Sequence, residues 1–129
     1  MDFCIGMTVN FATNPENMLA AADRIVFESD DGAATLQVIT EKDGTETATE
    51  LSSTYDLADD TYVTLGFKVS GKNRSSAMVE FYVGRALVAT HTANIPDDEN
   101  LTVGVMELSG DTSGTKTCSV DYLFAAQDR

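Results

Sequence analysis

The chain contains no tryptophan, one histidine, two prolines, two cysteines and only 8 basic residues against 21 acidic ones in 129. Each scarcity removes a class of function. With a single histidine, His91, any imidazole dyad or histidine-containing metal site must use that residue, which sits between Thr90 and Thr92 just past the end of an expected strand. The plain reading of His91 is a surface or hinge histidine. One histidine and two distant cysteines, Cys4 and Cys118, do not make the spaced ligand set of a structural zinc site. The opening MDFCIGMTVNF has neither a basic n-region nor a small-residue cleavage site, so no secretory leader is expected and the two thiols read as free, buried or half-buried cysteines. The net charge of −13 argues against nucleic acid and anionic membrane as partners, both of which reward Lys and Arg, and favours solubility or a basic partner. No run reaches the ~18–20 apolar residues needed to span a bilayer. No glycine-rich phosphate loop is present.

What the sequence does have is alternation. Phe3, Ile5, Met7, Val9 and Phe11 recur at period two, which predicts a strand with its odd positions toward a core. Asn14-Pro15-Glu16 is a helix-start signal, so Met18–Ala22 is expected as one or two helical turns or as a loop. Arg24–Glu28 and Ala34–Thr40 are short strands separated by the turn signal Asp30-Asp31-Gly32, and Lys42-Asp43-Gly44 marks the next reversal. Thr45–Leu51 alternates Thr with Glu and Ala, a strand with a wet face suited to a sheet edge. The centre of the chain is Tyr62–Thr90. There Val63, Leu65, Phe67 and Val69 alternate with polar residues, Met78–Val83 follows a polar turn, and Gly84-Arg85 reverses into Ala86–Thr90, giving an antiparallel meander. Leu101–Leu108 and Thr117–Ala125 complete about nine strands at sandwich spacing. The last of these presents Cys118, Val120, Tyr122 and Phe124 on one face. One domain over residues 1–129 is expected, all-β, a two-sheet antiparallel jelly-roll sandwich with at most one short helix.

Carboxylates are plentiful, which raises two chemistries. Asp30, Asp31, Asp97, Asp98 and Glu99 offer the hard oxygen ligands calcium takes, although neither cluster has the spacing of an EF-hand loop and a solvated acidic loop explains both. Glycoside hydrolysis needs two acids a fixed distance apart, whereas the strands offer Glu80 and Asp121 singly. Without tryptophan, sugar stacking would fall to Tyr55 and Tyr82, which packing in a turn and a strand also accounts for. No catalytic residue and no cofactor is assigned, and the chain reads as a non-enzyme. Lys72–Ser76 and Asp97–Asn100 are the turn regions expected to be available for contacts.

The segments VEFYVGRALVATHTANIP, LTVGVMELSG and SVDYLFAAQDR together resemble the concanavalin A-like (laminin G/glucanase) jelly-roll superfamily, in which an aromatic–Val–Gly turn precedes a short return strand and a near-terminal VDY strand. FESDDGAATLQVITEKDGTETAT with the VDYLFAAQ ending is similar to the lectin-like structural proteins of tailed phages. The resemblance covers roughly Ile25 to Arg129 and implies a virion component. That component would be a capsid decoration or cement protein, made in the host cytoplasm without a signal peptide and carried on the capsid surface. Its implied partners are the major capsid protein or another virion protein, further copies of itself, and, in the alternative of a lectin-like adhesion module or head fibre, a glycan. Two departures stand out. The Glu-x-Asp-x-x-Glu strand of the glucanase branch is absent, and relatives extend further at the N-terminus, so the opening strands are expected either to be shortened or to lie outside this sequence, the latter leaving an edge open for a neighbouring chain.

Overall fold

Strands with one apolar face need a second layer, and the computed structural model shows two such layers. It describes residues 2–9, 18–29, 33–71, 76–108 and 117–127. The strands are β1 (Asp2–Thr8), β2 (Arg24–Ser29), β3 (Gln37–Lys42), β4 (Thr45–Glu50), β5 (Leu65–Ser70), β6 (Met78–Val83), β7 (Ala86–His91) and β8 (Thr102–Leu108). A five-stranded sheet has the order β4-β3-β2-β1-β8 and a three-stranded sheet the order β5-β6-β7, with every pairing antiparallel. The molecule is therefore an all-β sandwich. Local chemistry explains the reversals. Asp43 and Gly44 both take positive φ, 50° and 73°, the two left-handed residues that a type I′ hairpin requires between β3 and β4. At Gly6 the reason for glycine is space, since a Cβ there would lie 2.1 Å from the carbonyl oxygen of Ile25 on the neighbouring β2.

The core between the sheets is built from alternate residues. Ile25 and Phe27 of β2, Val38 of β3, and Val79 and Phe81 of β6 are buried there with Leu36, Leu51 and Ile95. Phe27 and Phe81 meet edge-on with ring centroids 5.4 Å apart, and Phe67 leans on Phe81 at 6.0 Å. The large sheet also buries its outer face. Cys4, Val26, Ile39 and Met106 form a second cluster there under Met18, with Leu19 packed against it. All six residues of β2 are consequently buried. The small sheet has no such second cover among the described residues.

Three strands do not roof five. At ~4.8 Å per strand the small sheet is about half as wide as the large one. Phe81 places β6 over β2, and His91 at the end of β7 reaches Thr40 on β3 and Thr49 on β4. That leaves β5 on the side of β1 and β8. Met7, Val103 and Val105, which share the inward face with Ile5 by register, stay only half-buried.

Several expectations change. Residues 117–127, expected as a ninth strand over Thr117–Ala125, have no regular secondary structure and are exposed throughout, because period-two alternation makes a strand only when an edge pairs with it. The run expected from Val63 begins pairing only at Leu65, and Tyr62 and Val63 are exposed. Residues 18–23 form turns and not a helix. A 3-10 turn lies instead at Ser53–Tyr55, capped by the Ser52 side chain. In β1 both faces are covered, not the odd positions alone. Both cysteines are free, but only Cys4 is buried, Cys118 being exposed. The edge position of β4 is as expected.

Candidate functional site

His91 is not a surface histidine. It is 4% exposed and joins the two sheets. Its Nδ1 lies 3.0 Å from Thr40 Oγ1 and its Nε2 2.9 Å from Thr49 Oγ1. The Thr40 hydroxyl donates its proton to the carbonyl of Ala93 at 3.0 Å, so toward His91 it can only accept. Nδ1 therefore carries the ring proton, and Nε2 accepts from Thr49. Burial lowers the pKa of this imidazole below its ordinary value of 6.5, favouring the neutral form. With Phe81 edge-on at 5.2 Å and both nitrogens engaged, the ring has no lone pair to offer a substrate or a metal. Asn94 Nδ2 donates to Thr47 Oγ1 at 2.9 Å, continuing the polar seam along the same two strands.

Arg24 is the second organised cluster. It pairs with Glu41 across β2 and β3, and Glu41 with Glu46 across β3 and β4, so all three stand in one row on the outer face. The guanidinium donates to Glu41 Oε2 at 2.7 Å, Glu46 Oε2 at 2.9 Å and Glu28 Oε2 at 2.7 Å, and to the carbonyl of Leu19 at 2.7 Å. Burial works against its charge, but the carboxylates, Glu28 foremost, more than offset it and raise its pKa. This arrangement pins residues 18–19 onto the outer core, and its donors are committed to that task. Beside it, the Cys4 thiol is pushed up to about 12 by burial and then by the charge of Glu28, with Arg24 acting in the opposite sense. Cys4 is held as an unreactive thiol.

The proposed calcium ligands separate. Lys42 places its ammonium against Asp97 and 3.0 Å from Asp98, so these two carboxylates face a protein cation. Glu99 is exposed in the same loop. Asp30 and Asp31 lie outside the described residues, among which no group of three metal-ligating side chains occurs. Lys72–Asn73–Arg74–Ser75 also lie outside them, while Ser76 and residues 97–100 are exposed. Glu80 stands on the outer face of the small sheet beside Lys68 and Tyr82. Partial burial and then Glu80, through its charge and a hydrogen bond, raise the Tyr82 hydroxyl pKa. Asp121 belongs to the exposed segment without regular secondary structure. Tyr55 and Tyr82 are not brought together. Tyr55 instead lines a cavity of about 170 Å³ with Leu57, Tyr62, Val63 and Val83 at the start of β5.

What remains available is apolar. Val120, Tyr122 (70% exposed), Leu123 and Phe124 (80% exposed) form one stretch, and Tyr62 (75% exposed), Val63 and Val69 form another along β5. Sequence reasoning placed the first stretch in a paired strand and overlooked Arg24, although an arginine opening an otherwise apolar strand with Glu28 four residues on was a visible signal. Comparison with family models, curated proteins and solved structures finds no match to this chain.

Proposed function

We propose that this chain is a non-enzymatic virion structural protein of a tailed phage, a decoration module that binds the outside of a head and reinforces it. The observation that carries the reading is the concentration of exposed apolar side chains in the stretches 62–69 and 120–124 of a chain whose net charge is −13. Patches of that kind mark association surfaces. The likeness of the strand-and-turn segments to phage lectin-like proteins supplies the setting. Such a module works by area, many copies crossing capsomer boundaries so that each contact resists the pressure of packaged DNA. The acidic remainder of the surface keeps it off DNA. Contact with basic patches of the shell weakens with salt. The test is the copy number of the intact chain in purified particles, measured by quantitative mass spectrometry against the major shell protein. Near-stoichiometric occupancy supports the reading, and absence from the particle ends it.

A second reading, a glycan-binding adhesion module, is favoured by the Tyr55–Tyr62 cavity with its polar neighbours Thr54, Asp56 and Thr61. A glycan array with and without calcium tests it, and Tyr62→Ala should abolish any saturable binding.

A further inference from the structure

We propose that two copies of the chain assemble by strand exchange, residues 117–127 of each copy adding as a ninth strand to the open edge of β5 in the other. This deepens the assembly reading and rests on it only in taking the two apolar stretches as an association surface.

The donor is a strand without a ladder. Cys118, Val120, Tyr122 and Phe124 alternate with Ser119, Asp121, Leu123 and Ala125, the pattern of a pleated, half-buried strand, yet the whole segment is exposed and unpaired. The acceptor is a ladder without a strand. Among the described residues β5 pairs only with β6, so its other edge presents unmatched backbone groups, flanked by exposed Val69, Tyr62 and Val63.

Charge selects this edge. The donor carries one charge, Asp121, and β5 carries one of opposite sign, Lys68, whose side chain is exposed. By contrast β4 carries Glu46 and Glu50, and β8 carries Glu107, each of which would repel Asp121. The β7 edge is neutral, but a strand added there would extend the small sheet past β4, whose inward Thr47 and Thr49 are already bonded to Asn94 and His91. A strand added at β5 extends the small sheet over β1 and β8 instead. There it covers the half-buried Met7, Val103 and Val105. The cavity of about 170 Å³ at the start of β5, where Tyr55, Leu57, Tyr62 and Val63 sit beside the polar Thr54, Asp56 and Thr61, is a seat for an amphipathic aromatic side chain of the incoming strand such as Tyr122.

Donor and acceptor are both open on one protomer, so two copies satisfy each other reciprocally about a two-fold axis, and the assembly closes with no β5 edge left over. Each partner is strongly acidic, so the pair tightens as salt screens their mutual repulsion. Attachment to a basic shell has the opposite salt dependence, which keeps the two interactions distinguishable.

The experiment is sedimentation velocity on the purified full-length chain over a range of concentrations at low and high salt. The expected result is a monomer–dimer equilibrium that shifts toward dimer with salt. The double variant Tyr122→Lys/Phe124→Lys should weaken the dimer by about tenfold or more. Those side chains are exposed in the protomer, so an unchanged far-ultraviolet spectrum is expected alongside. Val69→Lys should do the same from the acceptor side, and a mixture of the two variants should recover a heterodimer through its one intact exchange. A chain that stays monomeric at every concentration overturns the proposal, whether hydrogen exchange finds residues 117–127 unprotected or protected by closure on their own sheet. A dimer indifferent to both variants overturns it equally. Neither outcome bears on particle copy number, by which the proposed function stands or falls.

Discussion

The two sheets of this sandwich are made of similar residues and live in different surroundings. In the large sheet β2 is buried at every position, with an apolar core on one side and a mixed core under Met18 and Arg24 on the other. In the small sheet only Val79, Phe81 and His91 are buried, while Val69 and Leu87 are exposed. Polar groups follow the same division. In the large sheet Arg24 and Thr40 have matched partners at hydrogen-bond distance, and His91, the small sheet's buried polar residue, takes its own partners from Thr40 and Thr49 of the large one. A sheet covered on both faces must settle most of the polar groups it buries, the Thr8 hydroxyl of β1 being an exception among the described residues, whereas a sheet covered on one face can leave apolar surface for a partner.

The contrast can be broken most severely at Phe27. Phe27→Ala removes a ring packed edge-on against Phe81 from the two-sided layer and should cost about 3–5 kcal/mol of unfolding free energy in urea titration. Phe67→Ala, in the one-sided layer and only half-buried, should cost clearly less; equal losses would show that the two layers are equivalent after all. Next comes Arg24→Leu, which strands Glu28 in the outer core and should cost about 3 kcal/mol. Pairing it with Glu28→Leu should restore much of that loss in a double-mutant cycle.

A smaller effect belongs to pH. His91 titrates below 6.5 in the folded state because it is buried, so the unfolded chain binds its proton first as pH falls. Stability contributed by neutral His91 is therefore complete above about 6.5 and is lost as pH drops from there toward the lower folded value. In His91→Gln that part of the slope should vanish, which chemical denaturation at a series of pH values reads directly. The thiols give a test without any stability change: Cys118 should react with a disulfide reagent in the native protein, and Cys4 only after unfolding. Smallest of all, Tyr62→Ser on the exposed flank of β5 should leave unfolding free energy within about 0.5 kcal/mol of the parent.

Much of this architecture was legible in the chain. Alternation located β1 to β8, Asp43-Gly44 located the hairpin between β3 and β4, and the Thr–Glu pattern of Thr45–Glu50 marked an edge. Alternation could not say which strands would find partners. Cys118–Phe124 has as good a strand pattern as Leu65–Val69, yet one pairs and the other does not, because pairing depends on an available edge far away in sequence. Nor could it show that Thr40 and Thr49 come together around His91, or that Glu28, Glu41 and Glu46 converge on Arg24. Those meetings follow from register between strands, which a single sequence carries only implicitly. The contact of Lys42 with Asp97 was illegible for a related reason: the two lie far apart in the chain and beside each other in space.

One pairing bears on the order in which the molecule is made. In the large sheet β1 leaves the ribosome well before one of its two neighbours, β8, with Asp2 opposite Leu108 and Phe3 opposite Glu107. During synthesis β1 waits beside β2 with one side unsatisfied until β8 has emerged. Contacts of such long sequence separation form late and slowly. Between the emergence of β1 and that of β8 the nascent chain is thus an incomplete sheet with an apolar flank, a state open to misassembly and to chaperone binding.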